Sequence, residues 1–102
     1  MQRYTLTDRQ DHWKVLGASS RSQAAVMTLS AGKSTGGPDN KHAQSDQWIY
    51  IIAGSGEATV AGKAVKLGTG DLVLIEAGET HEIRNTGDQP LVTFSIYAPP
   101  EY

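Results

Sequence analysis

Residues 70–85 read Gly-Asp-Leu-Val-Leu-Ile-Glu-Ala-Gly-Glu-Thr-His-Glu-Ile-Arg-Asn, a pattern of two strands separated by a tight turn. Leu72 to Ile75 is a short apolar run that suits a buried strand. After the Ala-Gly break the chain restarts at His81, and a period of two places His81 and Ile83 on one face. Because Ile83 favours the core, we expect His81 to point inward, either as a satisfied core residue or as a ligand.

Short strand patterns recur along the rest of the chain, and no window of about eleven residues or more has a helical stripe. Turn residues such as Gly, Pro, Asn and Asp separate the strand patterns. The chain is therefore predicted to form an all-β, antiparallel sandwich or barrel of roughly six to ten strands. The predicted strands are 13–16, 24–29, 47–53, 57–60, 64–67, 72–75, 81–84 and 91–97; residues 31–40 are predicted to be a long loop, and residues 1–12 irregular or a loosely held first strand.

Length and composition predict one domain and argue against several classes of protein. The 102 residues predict one domain that spans residues 1–102. Lys and Arg total 9 and Asp and Glu total 11, and this near balance argues against a nucleic-acid partner. The absence of cysteine excludes disulfides and thiolate metal sites and suits a reducing compartment, so we expect a cytoplasmic protein. No signal peptide is apparent, and the longest apolar run is too short to span a membrane.

Residues 47–53 predict a strand with two apolar faces. Ile49 and Ile51 alternate with Trp48, Tyr50 and Ile52. A surface strand of an antiparallel sheet normally has one polar face, so another sheet or a second subunit must cover this one. The segment 98–102 contains two prolines and is expected to be an extended tail with little core to join in its own subunit. The two features together predict a homodimer.

A second group of polar residues precedes this strand, in the order His42-Ala43-Gln44-Ser45-Asp46-Gln47. If the segment were extended, His42, Gln44 and Asp46 would share one face, and Gln47 would continue the face of Ile49. The alternative is a polar loop with a surface histidine. His12 is predicted to lie at the surface. The chain has no phosphate-binding loop and no nucleophile elbow.

Together the two polar stretches resemble the two sequence motifs of the cupin superfamily over about residues 24–97. The first family motif is Gly, five residues, His-x-His, three or four residues, Glu, six residues, Gly; here it reads Gly36, five residues, His42-Ala43-Gln44, two residues, Gln47, six residues, Gly54. The second is Gly, five residues, Pro-x-Gly, two residues, His, three residues, Asn. It matches from Gly70 to Asn85 except at Glu76, where proline is usual.

The resemblance implies an antiparallel jelly-roll β-barrel, and many cupins hold a divalent metal through these motif positions. The corresponding residues here are His42, Gln44, Gln47 and His81. Two amides replace an imidazole and a carboxylate, and the spacing before Gln47 is one residue short, so Asp46 is an alternative ligand to Gln44. Amide oxygens are weaker donors than the groups they replace, which implies weaker binding. Zinc, nickel, manganese and iron all remain candidates.

Cupins serve many functions, so the resemblance leaves two hypotheses of different class. The first is a small metal-binding cupin, with metal-dependent oxygenase or isomerase chemistry on a small polar molecule as the candidate activity. The second is a non-catalytic cupin that binds or senses a small ligand without a metal. No residue clearly qualifies as a general base; Asp46 and Glu82 are the candidates.

Overall fold

The computed structural model describes residues 1–6 and 12–102, with the backbone alone for residues 38–40. Within these residues the chain forms nine strands and no helix. None of the described segments is a helix with the length and hydrophobicity needed to cross a lipid bilayer. The strands are β1 (Trp13–Ala18), β2 (Gln23–Leu29), β3 (Ser34–Lys41), β4 (Asp46–Ala53), β5 (Gly56–Val60), β6 (Lys63–Leu67), β7 (Leu72–Ile75), β8 (Thr80–Arg84) and β9 (Leu91–Ala98).

The strands form two antiparallel sheets. One has five strands in the order β1-β2-β9-β4-β7, and the other has four in the order β3-β8-β5-β6. Neighbours in a sheet are mostly distant in sequence, as in a jelly roll, where the chain crosses between the sheets. The predicted all-β, antiparallel jelly-roll class is confirmed.

The core lies between the two sheets, and strands such as β4 alternate their side chains between the core and the outer face. Ile49 and Ile51 of β4 are fully buried, whereas Trp48 and Tyr50 are exposed. The same cluster includes Ile83 of β8, on the opposite sheet. This alternation confirms that His81 points inward: it shares the face of Ile83 and is 4% exposed.

Three of the motif residues have structural roles: Gly70 and Gly78 form the turns around β7, and Asn85 follows β8. Gly70 and Gly78 have φ angles of +93° and +87°, a left-handed conformation that side chains other than glycine's disfavour. Asn85, just after β8, is buried and donates from Nδ2 to the carbonyl oxygens of Leu29 and Gln89, both at 2.8 Å. Asn85 therefore ties the end of β8 to β2 and to the turn before β9.

The predicted loop over residues 31–40 is wrong, because β3 occupies most of it. Ser34 pairs with Arg84 and Thr35 with Ile83, and the register shifts between Gly36 and Lys41. The Gly-Pro-Asp-Asn composition disfavours a strand locally. However, β3 is a sheet edge, where proline and bulges are tolerated, and β8 offers it a row of backbone partners. Of the N-terminal segment predicted to be irregular, residues 7–11 lie outside the described residues.

The expectation that residues 98–102 have little of their own subunit to join is also wrong. β9 continues to Ala98, and the following residues fold back onto β2. Gln23 Nε2 donates to the carbonyl oxygen of Tyr102 at 2.7 Å. The backbone N–H groups of Glu101 and Tyr102 donate to Gln23 Oε1 at 3.1 and 2.9 Å. A buried side chain that can both donate and accept thus holds a segment whose prolines prevent it from pairing as a strand.

Candidate functional site

A cavity of about 210 Å³ lies between the two sheets, at the end where residues 99–102 fold back. The strands of the larger sheet contribute one wall, and β3 and β8 contribute the facing wall. The lining mixes imidazole, amide, hydroxyl and aromatic groups with aliphatic side chains: His12, Trp13, Ala25, Val26, Met27, Thr35, His42, Gln47, His81, Ile83, Ser95, Tyr97 and Tyr102.

Two buried imidazoles meet in this cavity. His42 is 6% exposed and His81 is 4% exposed, and their ring centroids are 4.8 Å apart. His81 comes from β8, and His42 follows the end of β3. The Gly78 N–H donates to the His42 carbonyl oxygen at 2.7 Å, which ties the two motif segments together. The polar-loop alternative for His42, with the ring at the surface, therefore does not hold.

Each imidazole has an oxygen partner on the same ring nitrogen. His42 Nδ1 lies 3.0 Å from Glu101 Oε1, and His81 Nδ1 lies 3.4 Å from the carbonyl oxygen of Glu79. An acceptor at Nδ1 favours the tautomer with its proton there, which leaves the lone pair on Nε2. Metal-binding histidines in proteins are commonly held in this way, by a carboxylate or a carbonyl on the far nitrogen.

Burial disfavours the charged forms of two side chains of the site, His81 and Tyr97. Burial lowers the pKa of His81 below its usual 6.5; the hydrogen bond to the Glu79 carbonyl opposes this shift, and the nearby His42 adds to it. Burial likewise raises the pKa of Tyr97 above its usual 10.0, with a further contribution from Tyr102. At neutral pH His81 is therefore an uncharged lone-pair donor and Tyr97 an uncharged phenol.

Gln47 has the most unusual environment in the cavity. Its Nε2 donates to Ser95 Oγ at 3.1 Å, and the side chain is 6% exposed. Its Oε1 is buried and has no hydrogen-bond partner among the described residues. An unpaired buried acceptor costs about 1–3 kcal/mol, so such an atom calls for a functional explanation.

The structure does not bring Gln44 to the cavity. The chain turns between Lys41 and Asp46, so His42 is buried while Gln44 and Asp46 are exposed. The expectation that His42, Gln44 and Asp46 share one face is therefore wrong, because it required an extended segment. Asp46 instead accepts a hydrogen bond at 2.9 Å from the Ala77 N–H, where it supports the turn after β7.

The two residues considered as general bases do not line the cavity. Asp46 is held at that turn, and Glu82 lies on the face of β8 opposite to His81. Arg84 Nη2 lies 3.5 Å from Glu82 Oε1 on that outer face. His12 is exposed, as predicted, but it also contributes to the cavity lining.

Several residues of the site were missed from the sequence. Ser95 and Tyr97 project from β9 into the cavity, and Tyr102 reaches it from the returning segment. A signal for the first two was present: Thr93, Ser95 and Tyr97 form the more polar face of β9, and this face is the buried one. No local pattern indicated Tyr102 or the Glu101 contact to His42, because both depend on how the chain folds back.

Aromatic rings close one side of the cavity. The Tyr102 ring makes edge contacts with Trp13, Tyr97 and His42, with centroid distances of 4.7, 5.2 and 5.8 Å. The Tyr97 ring is edge-on to His42 at 5.3 Å. These rings offer apolar faces and polar edges, a combination suited to enclosing a small organic molecule.

The cavity contains nitrogen and oxygen donors of the kinds that bind metal ions. Residues 1–6 and 12–102 contain no group of three or more His, Cys, Asp or Glu side chains that could hold one. The cavity does bring together two imidazoles held at Nδ1 and the unpaired amide oxygen of Gln47. Nitrogen and oxygen donors of this kind suit a divalent first-row ion, and three protein donors leave positions for a ligand.

Comparisons with known proteins agree with the fold. A family model described as a cupin domain matches residues 25–97. A curated protein of Thermotoga maritima named oxalate-binding protein is 37% identical over 72 residues, which are 71% of this chain and 58% of that protein. The match therefore spans little more than half the length of this relative.

Solved structures superpose closely on the chain. A protein from Bacillus halodurans has a TM-score of 0.87 at 28% identity, over 93% of this chain and 74% of that one. A Thermotoga maritima protein described as a predicted oxalate decarboxylase has a TM-score of 0.78 at 28% identity, over 86% and 79% of the two chains. KdgF from Halomonas sp. has a TM-score of 0.80 at 20% identity, over 92% and 87%, a likeness that shows the fold alone.

Proposed function

The chain belongs to the cupin family, and we propose that it binds a small carboxylate-bearing molecule in this cavity, through a divalent metal ion held by His42, His81 and Gln47. One observation carries the proposal: two buried imidazoles lie side by side, and the buried Oε1 of Gln47 in the same cavity has no hydrogen-bond partner among the described residues. Gln44, considered from the sequence, is exposed and leaves the proposed ligand set.

Charge balance favours an acidic ligand. All three proposed donors are neutral, so they cancel none of the ion's charge, and a buried charge is costly unless it is paired. When bound, a divalent ion would supply the positive charge that anchors and polarises a carboxylate oxygen. The described lining contains no Lys or Arg that could do this instead. The relative named oxalate-binding protein supports a small carboxylate as the ligand class.

The chain's own residues would orient the ligand. Ser95 and the neutral phenol of Tyr97 can donate hydrogen bonds to its oxygens, and the aromatic edge formed by Trp13 and Tyr102 limits its size. The carboxylate of Glu101 contacts the site, but its oxygens lie against His42 and Ser45, so it is not placed as a general base. We therefore propose binding as the function, in place of the oxygenase or isomerase activity considered from the sequence.

The test is calorimetry on metal-stripped protein. Zinc, nickel, manganese and ferrous iron are titrated first, and oxalate is then titrated into the stripped and the loaded protein. We expect metal binding tighter than about millimolar, and oxalate binding that requires the metal. His42→Ala and His81→Ala should each weaken metal binding at least about tenfold. The matched control is Gln44→Ala, which removes an exposed amide near His42 and should bind as wild type does.

Two outcomes would contradict the proposal. If wild type binds none of these metals more tightly than about millimolar, the donor set is not a metal site. If oxalate binds equally well to stripped and loaded protein, the cavity works without a metal, and the metal-free binding cupin is the better description.

We also propose that the protein is a homodimer. Trp48, Tyr50, Leu72 and Leu74 are 44%, 42%, 57% and 38% exposed. Trp48 is paired with Leu74 and Tyr50 with Leu72, so these four side chains form one block, the outer apolar patch. A contiguous exposed apolar patch on a sheet is typical of an interface.

We also propose a cytoplasmic location, because a chain without cysteine suits a reducing compartment.

A further inference from the structure

The Glu101 carboxylate contacts the proposed donor set, and each of its oxygens lies within hydrogen-bond distance of a buried side chain. Oε1 lies 3.0 Å from His42 Nδ1, and Oε2 lies 3.0 Å from Ser45 Oγ. The Glu101 side chain is 25% exposed, whereas the His42 side chain is 7% exposed. The carboxylate therefore sits at the boundary of the cavity and faces the side of the imidazole that points away from the proposed metal position.

Residues 99–102, which we call the strap, are held by two buried polar side chains. Gln23 is 4% exposed and makes three hydrogen bonds to the backbone of Glu101 and Tyr102. Ser45 is 2% exposed, and its one hydroxyl proton can be donated either to the carbonyl oxygen of Pro99, at 2.7 Å, or to Glu101 Oε2, at 3.0 Å; both acceptors belong to the strap. Ser45 contacts the strap before Glu101, and Gln23 binds the backbone of Glu101 and of the residue after it. These contacts hold the Glu101 backbone where its carboxylate reaches His42.

We propose that Glu101 is the positioning residue of this site: it fixes the Nδ1–H tautomer and the ring orientation of His42, so that Nε2 points to the proposed metal position. The inference rests on the proposed function because it concerns the same donor set. A carboxylate on the far nitrogen also makes the imidazole a stronger donor, and removal of such a partner typically weakens metal binding about 10- to 100-fold.

The role has a physical reason particular to this chain. Every proposed metal donor is neutral, since Gln47 stands where the family motif has glutamate. Glu101 supplies a negative charge one hydrogen bond away, through the His42 ring. His81 has a carbonyl oxygen as an Nδ1 partner, at the longer distance of 3.4 Å. The carboxylate on Nδ1 strengthens His42 as a donor.

The first measurement uses metal-free protein. Long-range ¹H–¹⁵N NMR spectra identify which ring nitrogen of each histidine carries the proton. We expect wild type to show the Nδ1–H form at both His42 and His81. Glu101→Ala should lose that preference at His42 and retain it at His81. In Glu101→Gln the amide oxygen can still accept from Nδ1–H, so the tautomer should be retained without the charge.

The second measurement is zinc affinity by calorimetry. We expect Glu101→Ala to bind about 10- to 100-fold more weakly than wild type, and Glu101→Gln to lie between them. The matched control is Glu76→Ala, which removes an exposed glutamate and should leave both readouts unchanged. If Glu101→Ala does not fold, the Glu101→Gln variant decides alone: zinc affinity equal to that of wild type overturns the role of the charge.

The outcomes separate this inference from the proposed function. If wild type binds zinc, and Glu101→Ala keeps both the Nδ1–H tautomer of His42 and an affinity within about twofold of wild type, Glu101 has no positioning role and the proposed function stands. If no variant binds zinc, but Glu101→Ala changes the tautomer of His42 alone, Glu101 positions the ring and the metal proposal fails.

Discussion

At the scale of single residues, the two buried glutamines among the described residues differ in how their amides are bonded. Gln23 is 4% exposed, and both its amide nitrogen and its amide oxygen are hydrogen-bonded to the strap. Gln47 is 6% exposed, and its oxygen has no partner among the described residues. Gln23 and Gln47 are the same residue type and are similarly buried. Substitutions at the two positions can therefore show how an unpaired acceptor affects the free energy of unfolding.

Methionine substitutions at the two positions should therefore have opposite consequences. Gln47→Met removes the unpaired Oε1 together with the hydrogen bond from Nε2 to Ser95 Oγ. Because removal of the unpaired acceptor offsets or outweighs the lost bond, we expect the free energy of unfolding to stay constant or rise by about 1 kcal/mol. Metal binding should fall with the lost donor. Gln23→Met leaves the backbone groups of the strap unpaired and should lower the free energy of unfolding by about 2–3 kcal/mol.

Urea denaturation of the metal-free proteins measures both changes. A clear loss of stability in Gln47→Met would mean that Oε1 has a stabilising partner in the folded protein, and it would remove the main support for Gln47 as a ligand.

At the scale of elements, β8 holds the site because it is paired on both sides, by β3 and by β5. The close approach of β5 is possible because its first residue is Gly56. A Cβ added there would lie 2.5 Å from the carbonyl oxygen of Arg84 and 2.8 Å from Leu91 Cδ2. Neither neighbour can yield easily, since one is backbone and the other is a fully buried core side chain.

Gly56→Ala should therefore lower the free energy of unfolding by about 1–3 kcal/mol through overpacking. The matched control is Gly37→Ala on β3, where an added Cβ meets no atom within 4 Å and φ is not left-handed. The control should stay within about 0.5 kcal/mol of wild type. Equal stabilities of the two variants in urea denaturation would show that β5 can move away from β8 at little cost.

At the scale of the whole molecule, the larger sheet presents an apolar outer face that residues 1–6 and 12–102 leave exposed. Two features of the sequence predicted a dimer, and the strap removes one of them, because residues 99–102 pack against their own chain. The outer apolar patch supports the other part, since Trp48 and Tyr50 remain exposed. That residues 1–102 form a single domain stays a prediction.

The dimer proposal predicts a response to charge on that face. Trp48→Glu places a carboxylate at the centre of the outer apolar patch and should convert the protein from dimer to monomer, because burial of an unpaired charge is unfavourable. Val65→Glu adds the same charge to a residue of the other sheet that is 50% exposed, and should leave the dimer intact. Analytical ultracentrifugation at micromolar concentration distinguishes these states, and a monomeric wild type would refute the proposal.

Features that depend on local geometry could be predicted from the amino-acid sequence. Alternation along a single strand was sufficient to predict that His81 points inward with Ile83, and turn glycines marked the ends of most strands. The spacing of the polar stretches was sufficient for the family, which the match over residues 25–97 confirms. These inferences succeed because side-chain direction in a strand is set by the backbone of that strand alone.

Contacts between polar groups of distant segments could be identified only from the tertiary structure. Residues 34–41 become a strand because β8 offers them a partner, and Gln44 turns outward because the chain bends before β4. Glu101 reaches His42 across 59 positions of sequence, carried there by the strap. Contacts of this kind depend on sheet order and on hydrogen bonds between distant segments. The residue pattern within one segment cannot predict them, because each contact forms between two segments and depends on the residues of both.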